Sequence, residues 1–446
     1  MASSAASLYA VIESCIPADA AGLVVALSGG ADSAALLRLV AGMGGRFHGL
    51  PLRAVHIDHG LQAAAAEFRD ACTDLCRRLG VPLEIIRVEV PSGAGLSIEA
   101  AAREARYAAL AAQLQPRECL LTAHHRRDQA ETLLLQALRG AGVKGMSAMP
   151  ACRAFGLGWH VRPVLDVPHR ELLQWGGHLE NRHSIDPMNQ DLRFDRAYLR
   201  REIWPPIETR WPGAETALSR AARHMAEAQE LLDVAAARDV VRLRDGDALS
   251  VPGLRVLPQL QRVNVVRFWL SEAGVEAPST ARLAEALRQV FDADADHQPA
   301  IVWSDKALRR YRQRLFLTAA ACPRLEEARS WDTSPGSTIV LGANLGTLTW
   351  NTQIGGLAAH ALPPAVMVRG RNGGETLKPA RTARTQTVQH LCQSQGVLPW
   401  MRDALPLVFA GEELIAVADL WMDARWRAAP DAPGLKVEWN NAPILI

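Results

Sequence analysis

At 446 residues the chain exceeds what one hydrophobic core ordinarily serves, so two or three domains are expected. Charge is nearly balanced, 49 Lys and Arg against 47 Asp and Glu, so a nucleic-acid surface has to be local rather than global. The seven cysteines form no CxxC pair and no regular framework, residues 1–7 lack a charged start with a long apolar core, and no apolar run approaches the ~18 residues of a membrane span; a soluble protein of the reducing cytoplasm is expected.

The first predicted strand, Leu23–Leu27, ends in Ser28-Gly29-Gly30-Ala31-Asp32-Ser33, and an apolar-periodic helix follows from Ala34 to Val40. Two adjacent glycines let the backbone approach a ligand, two hydroxyls add donors, and the helix start points unpaired N–H groups and its positive dipole end at the same place. An anion, most plausibly phosphate, is expected there. The Gly-x4-Gly-Lys-Ser/Thr loop is ruled out because the lysine is missing, and no Gly-x-Gly-x-x-Gly is present. The plainer alternative is a Gly-Gly turn with an Asp-Ser helix cap.

Leu52–Asp58 reads as the second strand, and its exit His56-Ile57-Asp58-His59 lies where adenine and ribose would sit. Taken alone, the His56 side chain is read as structural, whereas the backbone amides of His56 and Ile57 are candidates to read the base; His59 is a weaker ligand candidate. Predicted elements continue with a helix over 64–79, a strand over 83–88, a helix over 97–114, strands at 119–123 and 160–165, and a helix over 128–138 between those two. Strands spaced by such helices call for a doubly wound parallel α/β sheet, with ligands beyond the strands' carboxyl ends.

Glu99, Arg103 and Arg106 share one face of their helix. Solvated ion pairs are the bland reading; two guanidiniums near ATP or RNA phosphate are the functional one. The richest stretch, Thr122-Ala123-His124-His125-Arg126-Arg127-Asp128-Gln129-Ala130-Glu131-Thr132, closes the fourth strand and opens the next helix. Asp128 and Glu131 lie three apart on one helical face, suited to Mg²⁺ through water or to an ammonium, or alternatively to an N-cap with its capping box.

Beyond the sheet, Arg193, Arg196 and Arg200 share a helical face, and a long helix over 214–241 leads into a second domain. Lys306–Arg314 carries five basic residues and no acid. Read as one strand, it would project Arg310, Arg312 and Arg314 to the same side, where their repulsion suggests an RNA backbone as partner; a charged edge strand is the alternative. Thr333-Ser334-Pro335-Gly336-Ser337 reads as a linker before a third unit rich in short strands. In that unit Val366–Gln389 holds five basic residues and one acid, and Gly373-Gly374 fits a hairpin turn or a close approach to phosphate equally well.

In order and spacing, Ser28–Ser33, His56–Leu61, Glu99 with Arg103 and Arg106-Tyr107, His124–Thr132, Arg139-Gly140-Ala141-Gly142, Asp186–Asp191, the Tyr198–Pro205 run, Arg371–Glu375 and Pro399–Asp403 resemble the tRNA(Ile)-lysidine synthases, of the PP-loop (N-type ATP pyrophosphatase) superfamily. That resemblance covers essentially the whole chain. It implies a PP-loop catalytic domain over 1–212, a mostly helical tRNA-binding middle domain over 213–325, and a small α+β tRNA-binding domain over 335–446. It further implies transfer of AMP from ATP to O2 of the wobble cytidine of a CAU-anticodon tRNA(Ile), then attack by the L-lysine amine to give lysidine, with Mg²⁺ assisting.

On this reading Ser28, Gly29, Gly30, Ala31, Asp32 and Ser33 hold phosphates, and Asp32 and Asp128 are metal candidates. Asp128 and Glu131 are candidates for the lysine ammonium, His125 handles a proton or contacts cytidine, and Arg103 steadies the transferring phosphate. Arg106, Arg193, Arg196, Arg200, Arg310, Arg312, Arg314 and Arg371 would meet RNA. The family usually has two aspartates before its glutamine, whereas this chain has Arg127-Asp128-Gln129, which removes position 127 as a metal ligand. Two rivals remain: a tRNA thiolase of the same superfamily, disfavoured by the missing CxxC, and a non-catalytic RNA-binding protein with a decayed ATP site. Neither membrane nor DNA is expected as a partner.

Overall fold

The computed structural model describes residues 2–43, 49–58, 65–88, 98–175, 191–292, 299–342 and 344–443. The chain forms two compact units, Met1–Leu232 and Asp233–Ile446.

The first unit begins with helix α1 (Ala2–Ser14) and then alternates strand and helix: β1 (Gly22–Ala26), α2 (Ala31–Gly42), β2 (Leu52–Asp58), α3 (Ala65–Leu79), β3 (Leu83–Arg87), α4 (Ile98–Gln113), β4 (Glu118–Leu121) and α5 (Arg126–Leu138). A short α6 (Val143–Met146) precedes β5 (Cys152–Phe155) and β6 (Gly158–Val161), followed by α7 (His169–Trp175). The six strands lie in the order β3-β2-β1-β4-β6-β5, all parallel except β5. Leu23, Val25, Leu36, Leu37 and Leu121 fill the core on one face, Val24, Val55, Leu110 and Leu120 that on the other. Each such buried side chain contributes roughly 1.5–3 kcal/mol.

β1 lies between β2 and β4, so the chain winds outward in both directions from it and leaves a crevice at the carboxyl ends of β1 and β4. The expected α/β sheet is therefore present, with the antiparallel edge hairpin β5–β6 added. The last parallel strand stops at Val161, before Pro163, which has no N–H to offer a ladder. Gly158 has to be glycine, since a Cβ there would lie 2.0 Å from the Glu118 carbonyl oxygen.

After the undescribed residues 176–190, α8 (Asp195–Tyr198) runs into a π turn (Leu199–Ile203), α9 (Trp204–Arg210) and the long α10 (Ala214–Leu243). His59, the Glu99 side chain and residues 186–190, singled out in the sequence, lie outside what is described.

The second unit holds two cores. Helices α11 (Val251–Val256), α12 (Gln259–Glu272) and α13 (Thr280–Asp292) pack with a sheet built from β7 (Arg244–Asp245), β8 (Ala248–Ser250), β9 (Ala300–Trp303), β10 (Lys306–Tyr311) and β11 (Arg314–Ala319). β12 (Arg329–Asp332), β13 (Thr338–Gly342), β14 (Gly346–Ile354), β15 (Ala365–Arg369), β16 (Thr376–Leu377), β17 (Gln386–Thr387), helix α14 (Val388–Gln395), β18 (Leu407–Ala410), β19 (Glu413–Val417), β20 (Trp421–Met422) and β21 (Pro433–Asn440) form the second. Trp331 and Trp350 stack at 4.3 Å at its centre.

Three expectations are corrected here. Lys306–Arg314 is a β10–β11 hairpin, not one strand, with Arg312 in its turn at φ +54°. The three arginines therefore do not line up: Arg310 is buried with Nη1 donating to the Val290 carbonyl, Arg312 bonds the Gln393 carbonyl, and Arg314 pairs with Asp245. Thr333–Ser337 is no linker but a turn, closed by Ser337 N–H on the Ser334 carbonyl and Gly336 N–H on that of Trp350. It follows β12, which already pairs with β15.

Candidate active site

The Ser28–Ser33 loop follows β1, and its shape comes from its own hydroxyls. The Ser33 hydroxyl donates to the Gly30 carbonyl at 3.0 Å and accepts the Ser28 N–H at 3.1 Å, while the Gly30 N–H reaches the Ser28 hydroxyl at 3.3 Å. Gly29 takes φ +86°, and Gly30 is the N-cap of α2. The first amides of α2, at Ala31, Asp32 and Ser33, then have no partner inside the helix, as at any helix start. A cradle of this kind suits phosphate oxygens.

At the end of β4, across the crevice, His125 caps α5. Its N–H donates to Asp128 Oδ2 at 3.0 Å, so Asp128 is the reciprocal partner of the cap rather than the cap itself. His125 Nε2 lies 3.7 Å from Asp32 Oδ2 and 3.5 Å from Asp128 Oδ2. Its Nδ1 is buried with no hydrogen-bond partner, and the ring, 2% exposed, is shut off from direct contact with a base in this conformation.

His169, at the start of α7, stacks on His125 at 4.2 Å and meets Asp32 Oδ1 through Nε2 at 2.9 Å. Burial alone would raise the Asp32 carboxyl, but the bonds and charges of His125 and His169 outweigh it and hold the group well below the usual carboxylate range. The Asp32 carboxylate in turn raises the His169 imidazole, against burial. His169 escaped the sequence reading; its only local signal is a helix start shortly after the last parallel strand.

Asp128 and Glu131 share one face of α5, as expected, but that face is met by Arg196 and Arg200. Arg200 Nε donates to Glu131 Oε1 at 2.8 Å and its Nη2 to Asp128 Oδ1 at 2.6 Å; Arg196 Nε reaches Glu131 Oε2 at 3.1 Å and its Nη2 Asp128 Oδ1 at 2.8 Å. Two guanidiniums thus balance two buried carboxylates. Burial would raise Asp128, yet His125, Arg196 and Arg200 hold it low; Glu131 and Asp128 raise Arg200 against its own burial.

Arg196 and Arg200, which the sequence reading set against RNA, are thus engaged with these carboxylates in this structure. Arg193 stays on the surface with Asp191. Arg127 pairs with Glu208 at 2.6 Å and lies over the Trp204 ring at 5.0 Å, tying α9 to the start of α5. Arg103 and Arg106 both sit over the Tyr107 ring, at 5.1 and 5.8 Å. On β2 the His56 ring is buried, its Nδ1 donating to the Leu27 carbonyl at 2.8 Å, which places it in the frame of the sheet.

Three family models match the chain: a PP-loop domain over 3–207, a TilS substrate binding domain over 249–316 and a TilS substrate C-terminal domain over 366–439. Over 418 residues, 92% of each chain, it is 38% identical to the tRNA(Ile)-lysidine synthase of Alkalilimnicola ehrlichii. The chain belongs to the tRNA(Ile)-lysidine synthase family. The enzyme of that name from Coxiella burnetii is 38% identical over 93% of this chain and 92% of its own, and that from Methylococcus capsulatus 36% over 93% and 95%. A ligase of this family uses ATP to modify tRNA, and neither a thiolase nor a decayed site is favoured.

The second unit carries the glycine pair singled out in the sequence. There the Gly373-Gly374 loop, at φ +93° and +82°, wraps the carboxylate of Glu375, which accepts the N–H groups of Asn372 and Gly373 at 2.6 and 3.1 Å. These two amides are already satisfied by Glu375, which counts against a phosphate cradle, and the loop is no hairpin turn either, since β15 pairs with β12 and β18 and β16 with β17. Arg371 Nε is buried there with no hydrogen-bond partner.

Proposed function

We propose that this enzyme joins L-lysine to C2 of the wobble cytidine of a tRNA(Ile) with a CAU anticodon. Cytosine O2 attacks the α-phosphorus of ATP, pyrophosphate leaves, and the O2-adenylated base becomes open to attack. The lysine ε-amine then adds at C2, AMP departs with O2, and the amine loses its proton. The supporting observation is that the fold's one switch point, between β1 and β4, brings the Ser28–Ser33 cradle, the Asp32–His125–His169 cluster and Asp128 to one crevice.

In this reading Ser28, Gly29, Gly30, Ala31, Asp32 and Ser33 receive phosphate oxygens, and the backbone amides of His56 and Ile57 read adenine. Asp32, ionised and 40% exposed in its side chain, fits as the one protein carboxylate of a Mg²⁺ ion bound chiefly through phosphates. Held there, Mg²⁺ would supply charge neutralisation for the leaving pyrophosphate. Asp128 does not fit that role while two guanidiniums hold its Oδ1.

Asp128 and Glu131 would receive the lysine ammonium only where Arg196 or Arg200 gives up its hold on these buried carboxylates. His125 acts on Asp32 and Asp128 rather than on the base. Arg103 and Arg106, over Tyr107, are left to steady phosphate or RNA. Residues 213–325 and 335–446 would hold the tRNA body and acceptor stem, using Arg312, Arg314 and Arg371, and the surface Arg193 of the first unit would also meet RNA. No helix among the described residues is long and apolar enough to cross a membrane, and a cytoplasmic enzyme is proposed.

The test is incubation of the full chain with ATP, Mg²⁺, labelled L-lysine and tRNA(Ile) bearing CAU. Label should enter the RNA only when ATP is present, with AMP and pyrophosphate as products. ADP formation, or label in the RNA without ATP, would overturn the proposal.

A further inference from the structure

Behind the crevice, a chain of hydrogen bonds runs through three side chains to His124. Arg162 Nη2 lies 3.3 Å from His160 Nδ1, His160 Nε2 lies 2.8 Å from the Thr122 hydroxyl, and that hydroxyl lies 2.9 Å from His124 Nδ1. Its direction is fixed at one end, because a guanidinium can only donate. His160 Nδ1 must accept, so the neutral ring carries its proton on Nε2 and donates to Thr122. The Thr122 hydroxyl keeps a second lone pair, but its one proton finds no other acceptor among the described hydrogen bonds, so it donates onward to His124 Nδ1.

Arg162 and His160 are buried, and Arg162 is anchored by Nη1 on the Pro150 carbonyl at 2.7 Å. Burial, with Arg162 beside it, lowers His160 to about 2; burial, with Arg162, Arg196 and Arg103 near it, lowers His124 to about 3 against the pull of Asp128. Both rings are neutral at ordinary pH.

We propose that Arg162, His160 and Thr122 act as positioning residues that lock His124 in the tautomer protonated on Nε2, making it a fixed N–H donor to a substrate oxygen at the end of β4. None of the described hydrogen bonds uses His124 Nε2, and the ring is half-buried beside His125. A neutral donor suits an oxygen that gathers charge, and it cannot act as the base that accepts the lysine proton through Nδ1. The acceptor is a phosphoryl oxygen of ATP, or the cytidine O2 that attacks phosphorus and later leaves with AMP. The inference rests on the proposed reaction for the identity of that acceptor, but the tautomer itself does not depend on it.

The first experiment uses ¹⁵N-histidine-labelled full-length protein without ligands, with two-bond ¹H–¹⁵N spectra assigned through His124→Gln and His160→Gln. A bare Nδ1 and a protonated Nε2 on His124 are expected in the wild type and in Thr122→Ser. In Thr122→Val the two nitrogen signals should move toward the average of exchanging tautomers. A proton on Nδ1 in the wild type, or no change in Thr122→Val, would overturn the lock. The second measures AMP transfer as pyrophosphate release, and ATP affinity alone by calorimetry. His124→Ala should lose about 10²–10³-fold in transfer, as for other buried donors to a developing anion, with His124→Gln retaining most of it through its amide N–H. Weaker ATP binding by His124→Ala identifies a phosphoryl acceptor, and unchanged ATP binding with lost transfer identifies the base. Unimpaired transfer in His124→Ala would overturn the donor role. Absence of transfer by the wild type would count against the proposed reaction while leaving the spectra to judge the lock.

Discussion

Replacing Gly29 by alanine tests the phosphate cradle directly. Its φ of +86° costs an L-residue roughly 1–2 kcal/mol. The new methyl would also stand 2.8 Å from Phe68 Cδ1 and 3.2 Å from Phe68 Cβ on α3, which adds an overpacking cost of about 1–3 kcal/mol. Because the loop can deform while the sheet beneath it stays folded, this cost should appear in nucleotide binding. Titration calorimetry with ATP should show affinity lower by at least about 30-fold, that is about 2 kcal/mol, with little change in unfolding temperature. Adding Phe68→Ala removes the contact but not the dihedral strain, so the double variant should recover only in part, by roughly the overpacking share. ATP affinity in Gly29→Ala within twofold of the wild type would refute the reasoning, and full recovery in the double variant would refute its dihedral half.

Glu131→Gln leaves Arg196 and Arg200 with one carboxylate between them; after allowing for their partial exposure, the loss in urea unfolding should be about 1–3 kcal/mol, and Arg200→Gln on top should restore part of it. Arg310→Met should cost the second unit about 1–3 kcal/mol by orphaning the Val290 carbonyl, while tRNA affinity measured by filter binding stays unchanged, since the side chain is 4% exposed. The His169–Asp32 pair has a pH signature. Asp32 is depressed, so its share of stability is present above about pH 3.9 and lost as pH falls through its lower folded value; His169 is raised, so its share is complete below about pH 6.5 and lost as pH rises through its higher folded value. The unfolding temperature of the wild type should exceed that of His169→Gln most between about pH 4 and 6.5, and a gap that instead widens toward pH 8 would contradict the pairing.

The N-terminal sheet was legible because its strands are short β-branched or leucine-rich runs ended by polar clusters, and because Ser28–Ser33 leaves few alternatives after a first strand. The periodicity of α5 placed Asp128 and Glu131 on one face, and the i, i+4 spacing did the same for Arg196 and Arg200. Neither pattern states that the two faces meet, since that depends on how residues 191–203 return across α5. His169 and Asp32 are 137 positions apart and are joined only by the folded sheet. The β10–β11 hairpin was hidden because its turn uses Arg312 at positive φ with Gln313 instead of the Asn-Gly or Gly-rich pairs that announce such turns. Thr333–Ser337 carries the composition of a linker, and only the register of β12 on β15 shows that the chain has already entered the last core.

The mutual hydroxyl bonds of Ser28 and Ser33 have a kinetic consequence. A cradle whose contour is settled before its guest arrives does not have to be ordered by that guest, so little conformational entropy is lost there on docking. Nucleotide capture should then proceed at a rate governed by encounter and ionic strength, with a single phase in stopped flow and no slow isomerisation behind it.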